Sequence, residues 1–97
     1  MIYKLTLPIV DRQTVKLPYN ARILSAQLQY DQLRVWYQFD LETAAEIRNT
    51  QLTEVQFLII GTGNACTIEQ ESQLAESVFL GTVQQTPFVW HVFYKLM

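Results

Sequence analysis

Cysteine and histidine are almost absent from this sequence. Cys66 is the one cysteine and His91 the one histidine among 97 residues. A single cysteine excludes an internal disulfide framework, and one cysteine with one histidine cannot provide the four ligands of an ordinary structural zinc site. We therefore expect a protein of a reducing cytoplasm that has neither a metal nor a cofactor.

Charged residues are also scarce. They make up 16% of the chain, against about a quarter in an average soluble protein, and the net charge is −2. The seven basic residues are scattered along the sequence, so we expect no binding to a nucleic-acid backbone. The low charge favours self-association, and we expect a homo-oligomer. The basic residues are Lys4, Arg12, Lys16, Arg22, Arg34, Arg48 and Lys95.

Long apolar runs are missing as well. No run approaches the roughly 20 residues that a helix needs to cross a bilayer. The first residues alternate in polarity up to Pro8 and have neither the basic start nor the apolar core of a signal peptide. We therefore expect no membrane partner.

Alternation of apolar and polar residues is the main pattern that is present, and it predicts half-buried β-strands. The alternating runs 23–30 and 33–41 flank Asp31-Gln32 and predict a β-hairpin, although no glycine supplies the favoured turn. Seven short strands predict one all-β domain over residues 1–97, a mainly antiparallel sandwich or barrel. The predicted strands are 2–7, 14–17, 23–30, 33–41, 54–60, 77–84 and 88–95, and the predicted connections with at most one helical turn each are 42–52 and 69–76.

Glycine is scarce too, and two of the three glycines lie together in Gly61-Thr62-Gly63-Asn64. The preceding strand ends in Leu58-Ile59-Ile60, which is apolar on both faces and predicts a central strand. Successive backbone N–H groups in such a turn can bind an anion. A tight turn that needs positive φ at one or both glycines is the alternative. The segment lacks the Lys-Ser/Thr ending of a phosphate-binding loop and the third glycine of a dinucleotide fingerprint.

The third glycine and the histidine lie on the last two predicted strands. Gly81 inside a strand predicts a bulge or a close backbone approach. His91 on an apolar strand is either a hydrogen-bonded, partly buried side chain or a catalytic group paired with Cys66. We expect the segment Gly61–Asn64, Gly81 and His91 to converge within one side-chain length. A residue that orients the Cys–His pair would be Asp40, Asn64 or Glu69.

Three further side chains, Arg22, Arg34 and Trp36, fall in the region of the predicted hairpin. Arginine can grip an anionic group in bidentate fashion, and Trp36 is a large aromatic residue on an otherwise polar strand face. Together with the glycine turn they would form a cradle for a nucleotide, and a solvated strand face is the alternative. No catalytic or metal-binding residue is assigned. The candidate ligand-binding residues are Arg22, Arg34, Trp36, Gly61, Thr62, Gly63, Asn64, Gly81, Trp90 and His91.

Four segments occur in the order and approximate spacing of a family of small phage and prophage proteins of unknown function, which the chain therefore resembles. The segments are 21–25 (ARILS), 61–63 (GTG), 81–83 (GTV) and 89–93 (VWHVF), and the family pattern resembles A-K-I-L … G-T-G-H … G-T … W-H-V-F. Asn64 stands where that pattern often has a histidine, which argues against a site with two histidines. The resemblance implies a phage-encoded accessory protein that works in the host cytoplasm, and it implies no catalytic activity.

These observations favour a non-enzymatic binding module that sequesters a small anionic ligand such as a nucleotide, or that blocks a host protein, in a counter-defence role. Aromatic residues on both faces of the last strand and exposed edge strands favour association with a partner. The alternatives are a small hydrolase that depends on His91 and a component of the virion or of its assembly.

Overall fold

A computed structural model describes residues 1–40 and 51–97 of the chain. Within these residues the chain forms seven β-strands and one α-helix, so the all-β fold that the alternation predicts is confirmed. The elements are β1 (Ile2–Leu7), β2 (Arg12–Pro18), β3 (Arg22–Gln29), β4 (Gln32–Gln38), β5 (Leu52–Gly61), α1 (Ile68–Ala75), β6 (Val78–Gln85) and β7 (Phe88–Leu96).

The strands form two antiparallel sheets that pack face to face as a sandwich. One sheet has the strand order β1-β4-β3, and the other has the order β2-β5-β7-β6. Every pairing between neighbouring strands is antiparallel. Of the two predicted architectures, the structure is therefore the sandwich and not a closed barrel.

A single apolar cluster between the sheets holds them together. Leu33 and Val35 enter it from β4, Phe57 enters from β5 and Val92 enters from β7. Each of these four side chains is at most 1% exposed. Full burial of one such side chain contributes roughly 1.5–3 kcal/mol to stability, so this cluster supplies the main force that joins the sheets.

Strand β5 is buried on both faces. Every residue from Val55 to Ile59 is buried, including Gln56, and β2 and β7 pair with the strand on either side. On the outer face, Leu58 lines a cavity together with Gln70 and Gln73 of α1. The prediction of a central strand at this position is confirmed.

Helix α1 lies over the outer face of the four-stranded sheet and is tied to it near both ends. Glu69 lies 3.4 Å from the guanidinium of Arg12 on β2, and Glu76 forms an ion pair with Lys95 on β7. The hydrogen bond from Lys95 and its positive charge lower the pKa of the Glu76 carboxyl. The helix therefore spans the sheet from β2 to β7.

The helix has eight residues and is therefore longer than the single turn predicted for residues 69–76, and Thr67 caps its start. The Gln70 N–H donates to Thr67 Oγ1 at 3.1 Å, and the Thr67 N–H donates to Gln70 Oε1 at 2.9 Å. This reciprocal pair is a capping box, which satisfies two backbone donors that would otherwise lack partners. The Thr-x-x-Gln spacing is visible in the sequence, and the prediction did not use it.

Strands β3 and β4 form the predicted hairpin, with its turn one residue earlier than expected. Gln29 pairs with Gln32, so the two-residue loop is Tyr30-Asp31 rather than Asp31-Gln32. Tyr30 and Asp31 have φ angles of 52° and 60°. Positive φ at both loop residues is characteristic of a type I′ turn, whose twist suits a hairpin. The chain forms this turn without glycine by placing two residues with side chains in the left-handed region.

Gly81 lies at a bulge in β6, as predicted. The register between β6 and β7 shifts between Phe79 and Gly81. A Cβ atom on Gly81 would lie 3.4 Å from the carbonyl oxygen of Ala26 on β3. The bulge therefore brings β6 against β3 and closes one side of the sandwich.

Two predictions fall partly outside the described residues. The predicted connection 42–52 lies almost entirely there, and so does the last residue of the predicted strand 33–41. The structure ends β4 at Gln38, and residues 39–40 are described and not in a strand, so that strand was predicted too long. In the part of the chain that the structure describes, no helix is long and apolar enough to cross a membrane.

Substitution of Tyr30 tests the cost of the type I′ turn. We expect Tyr30→Asn to raise the free energy of unfolding by about 0.5–1 kcal/mol, because asparagine tolerates positive φ better than tyrosine does. Tyr30 is 86% exposed, so little packing is lost. Tyr30→Val should lower the free energy of unfolding, because a β-branched side chain disfavours positive φ. Urea unfolding measures all three proteins, and equal stability of the two variants would contradict the turn assignment.

Candidate functional site

The predicted glycine turn lies where β5 ends beside β7. The register pairs Gly61 with Trp90, the residue before His91. On the other side of β7, Thr82 of β6 pairs with His91. The strand order β5-β7-β6 therefore brings together the turn, His91 and the part of β6 that contains Gly81, which is the convergence expected from the sequence.

The segment Gly61–Asn64 is a type II β-turn. The Asn64 N–H donates to the Gly61 carbonyl oxygen at 3.2 Å, and Gly63 has a φ angle of +83°. Positive φ at the third position is the mark of a type II turn and favours glycine there. The Thr62 N–H donates to the Val89 carbonyl oxygen at 3.0 Å. Two of the amides that an anion-binding turn would use are thus bonded within the protein, which favours the tight-turn alternative.

His91 is held between two threonine hydroxyls on the outer face of the four-stranded sheet. Its Nε2 atom lies 2.7 Å from Thr62 Oγ1, and its Nδ1 atom lies 3.0 Å from Thr82 Oγ1. A neutral imidazole has one donor and one acceptor nitrogen, and a hydroxyl can partner either one. Both ring nitrogens are therefore satisfied by threonine. This arrangement favours a hydrogen-bonded histidine over a pair with Cys66.

A groove of about 320 Å³ opens beside the turn. Phe88 and Trp90 form its aromatic wall, with ring centroids 5.5 Å apart and ring planes inclined at 23°. Phe88 is 55% exposed, so its ring is open to a ligand. None of the described lining residues is charged, and residues 1–40 and 51–97 contain no cluster of three His, Cys, Asp or Glu side chains suited to a metal ion. The lining residues are Gly61, Thr62, Asn64 and residues 87–90.

The absence of a side chain at Gly61 shapes this groove. A Cβ atom there would lie 2.7 Å from Asn64 Nδ2 and 3.0 Å from Trp90 Cζ3. A side chain at position 61 would therefore displace Asn64 or Trp90. Glycine at this position lets the amide and the indole lie against the backbone.

Trp90 is oriented by hydrogen bonds that reach the opposite sheet. Its indole N–H donates to Gln85 Oε1 at 3.3 Å, and Gln85 Nε2 donates to the Asp31 carbonyl oxygen at 3.1 Å. Asp31 belongs to the turn between β3 and β4. The aromatic wall of the groove is therefore connected to a hairpin of the three-stranded sheet.

Arg22, Arg34 and Trp36 do not join this site. All three lie on the three-stranded sheet, where Arg34 and Trp36 alternate with the buried Leu33 and Val35, and Arg22 lies on the same face as they do. Their side chains therefore point outward on the opposite side of the sandwich from His91. The structure separates the predicted nucleotide cradle into two surfaces.

Sequence reasoning did not single out Thr82, Phe88 or Gln85. The sequence does contain signals for Thr82 and Phe88. Thr82 directly follows the glycine of β6, and Phe88 lies two positions before Trp90 and so shares its strand face. No local signal marks Gln85, because its partners Asp31 and Trp90 meet it only through the packing of the two sheets.

Comparison with known proteins identifies a family. A family model described as Domain of unknown function (DUF7352) matches residues 1–96. No curated protein and no solved structure matches the chain. The family match covers every residue except Met97.

Substitution of Gly63 tests the type II turn. A Cβ atom at this position would meet nothing within 4 Å, so backbone strain is the main cost of adding a side chain. We expect Gly63→Ala to lower the free energy of unfolding by about 1 kcal/mol, because alanine disfavours positive φ. Gly63→Asn should lower it less. Urea unfolding measures both variants, and equal losses from alanine and asparagine would argue against strain as the cause.

Proposed function

The chain belongs to the DUF7352 family, whose function is unknown, and we propose that it is a non-enzymatic module that binds a small planar ligand in the groove beside the Gly61–Asn64 turn. The observation that carries this proposal is the exposed ring of Phe88, which stacks on Trp90 at the groove wall. The base of a nucleotide is the ligand class that this groove suits best.

The groove offers the two kinds of contact that a nucleobase uses. Stacking of a base on an aromatic side chain contributes about 1–3 kcal/mol, and the exposed Phe88 ring is available for it. The Asn64 amide and the Thr62 hydroxyl supply donors and acceptors for the polar edge of a base. The groove volume of about 320 Å³ falls within the range of small-molecule sites, roughly 300–1,000 Å³.

The groove is uncharged, and it therefore suits the base of a nucleotide better than the phosphate. No described lining residue is charged, and Arg22 and Arg34 lie on the other side of the sandwich. A phosphate group would therefore remain in solvent outside the groove. The anion-binding role considered for the glycine turn is not part of the proposal.

Segments 21–25, 61–63, 81–83 and 89–93 occur in the order found in a family of small phage proteins. This resemblance supports a biological setting for the proposed ligand binding. We propose an accessory protein that a phage encodes and that acts in the host cytoplasm by sequestering its ligand. Counter-defence is the role that such stoichiometric sequestration suits. The uncharged aromatic groove is consistent with binding without catalysis.

The contact between Thr62 and His91 supports a second candidate, a small hydrolase. His91 Nε2 lies 2.7 Å from Thr62 Oγ1, within reach of its proton, while Thr82 would hold the other ring nitrogen. Thr62 Oγ1 would attack an ester carbonyl carbon, its proton would pass through His91 to the leaving alcohol, and water would then release the acyl group. We prefer the binding module because the two hydrogen bonds already account for His91 as a satisfied side chain.

Titration with ribonucleotides tests the binding module. In a Trp36→Phe background we expect these ligands to change the fluorescence of Trp90 and to raise the melting temperature, because binding to the folded state stabilises it. Phe88→Ala should weaken binding about tenfold, which corresponds to roughly 1.4 kcal/mol of lost stacking. Phe79→Ala is the matched control, since Phe79 is also 55% exposed but lies near the start of β6, whereas Phe88 pairs with Gln85 at the end of β6.

Ribonucleosides without phosphate should bind about as well as the corresponding nucleotides. The nucleobase proposal fails if no nucleoside, nucleotide or cyclic dinucleotide changes either signal. It also fails if the two phenylalanine variants lose the same affinity.

Hydrolysis of p-nitrophenyl acetate tests the second candidate. If Thr62 is the nucleophile, Thr62→Val and His91→Ala should each abolish turnover while the far-ultraviolet circular dichroism stays unchanged. Thr14→Val, which alters an exposed threonine on β2, is the matched control and should keep full activity. A wild-type protein without turnover, or an active Thr62→Val variant, would eliminate the hydrolase.

A further inference from the structure

The outer face of the three-stranded sheet gathers basic residues that are scattered in the sequence. Lys4 lies on β1, Arg22 on β3 and Arg34 on β4, and the register places them in three successive rows across the strands. Each row contains one cation and no carboxylate. We call this surface, which has Trp36 in its middle row, the basic face. The rows are Ile2–Gln38–Arg22, Lys4–Trp36–Ser25 and Thr6–Arg34–Gln27.

Two of the three cations of the basic face, Lys4 and Arg34, have neutral hydrogen-bond partners among the described residues. Lys4 Nζ donates to Gln29 Oε1 at 2.8 Å, and the Arg34 guanidinium donates to Gln32 Oε1 at 2.7 Å and to the Thr6 hydroxyl. None of the three cations forms an ion pair with a residue in 1–40 or 51–97. Their charge is therefore available to a partner of opposite sign.

A shallow groove of about 420 Å³, lined by three apolar and two polar residues, lies on the same face. Trp36 lines it together with Ile2 and Leu24, which are 63% and 37% exposed. Leu24 lies at the point where the register between β3 and β4 shifts, so the irregularity adds an apolar side chain to a polar face. An apolar centre with a tryptophan, surrounded by arginine, is typical of the energetically important part of a protein–protein interface.

Helix α1 carries a complementary surface on the opposite side of the sandwich. Ile68, Glu71, Ser72 and Ala75 are all exposed and form one stripe at helical spacing, which we call the helix ridge. Ile68 is 88% exposed, so this large aliphatic side chain projects almost fully into solvent. Glu71 lies on the same stripe, and no described residue forms an ion pair with it.

We propose that the helix ridge of one copy of the protein docks on the basic face of a second copy. Ile68 enters the groove beside Trp36, and the Glu71 carboxylate meets Lys4 and Arg34. The eight residues of α1 extend for about 12 Å, and the three rows of the basic face extend for about 14 Å along the strands. The two surfaces are therefore opposite in charge and similar in length, and Ile68 provides an apolar side chain for the groove beside Trp36.

The proposed contact joins two different surfaces and is therefore heterologous. Copies that associate in this way form a closed ring or an open chain, depending on the rotation between them. The interface is at the small end of the known range, so we expect weak, micromolar association. The groove beside Gly61–Asn64 takes no part in this contact, so the nucleotide experiments and this proposal fail or succeed independently.

Sedimentation velocity over a range of concentrations tests the proposal. The wild type should associate more as its concentration rises and less as salt is added, because salt screens surface charges. The double variant Lys4→Gln/Arg34→Gln loses the two cations that meet Glu71, and Ile68→Ser/Glu71→Gln loses the ridge, so each should be monomeric by itself. Lys16→Gln removes an exposed cation from β2 and should associate like the wild type.

Mixing the two double variants gives the decisive result. Each retains one intact surface, so an equimolar mixture should form a one-to-one dimer and nothing larger. The proposal is overturned if the wild type stays monomeric at every concentration or if the mixture does not pair. It is also overturned if the wild type stops at a dimer that only one of the two double variants disrupts, because that pattern indicates a symmetric contact.

Discussion

Burial of β5 on both faces is the constraint on which the rest of this structure depends. The strand places Phe57 in the core between the sheets, and its outer face lies beside α1 near Leu58. A slip of one residue would move Gln56 into the core in place of Phe57, which is costly for a polar side chain. The end of the strand is therefore fixed, and the chain leaves the sheet at Gly61 beside Trp90.

The candidate site follows from that fixed end. The type II turn carries Thr62 to one side of His91, and β6 brings Thr82 to the other side, so one imidazole connects β6, β7 and the turn after β5. The aromatic wall is connected in turn to the β3–β4 hairpin through Gln85. The shape of the groove therefore depends on the packing of the two sheets, because this packing orients the Phe88 and Trp90 rings that a ligand would contact.

The sandwich also separates surfaces of different character. One outer face carries Lys4, Arg22 and Arg34 without a carboxylate in its rows, while the other is covered by an acidic helix. A chain of low net charge can therefore present charged patches of opposite sign. The groove beside the Gly61–Asn64 turn lies between these faces at the end of the strands, where the proposed docking of one copy on another would leave it open.

The sequence by itself determined the strands and the central position of β5, and it predicted that the glycine turn would lie close to His91. Alternation and doubly apolar runs are local consequences of burying one or both faces of a sheet, so they can be read without the fold. The capping box at Thr67 was equally readable. The assignment of Arg34 and Trp36 to the same site was not supported, because their strand belongs to the other sheet.

Only the tertiary structure decided which side chains meet. It gave His91 two threonine partners, joined Gln85 to Trp90, and gathered Lys4, Arg22 and Arg34 on one face although they are far apart in sequence. The physical reason is that pairing between distant strands leaves no local pattern. Periodicity assigns a residue to a face, and only the register and the packing of the sheets determine what lies beside it.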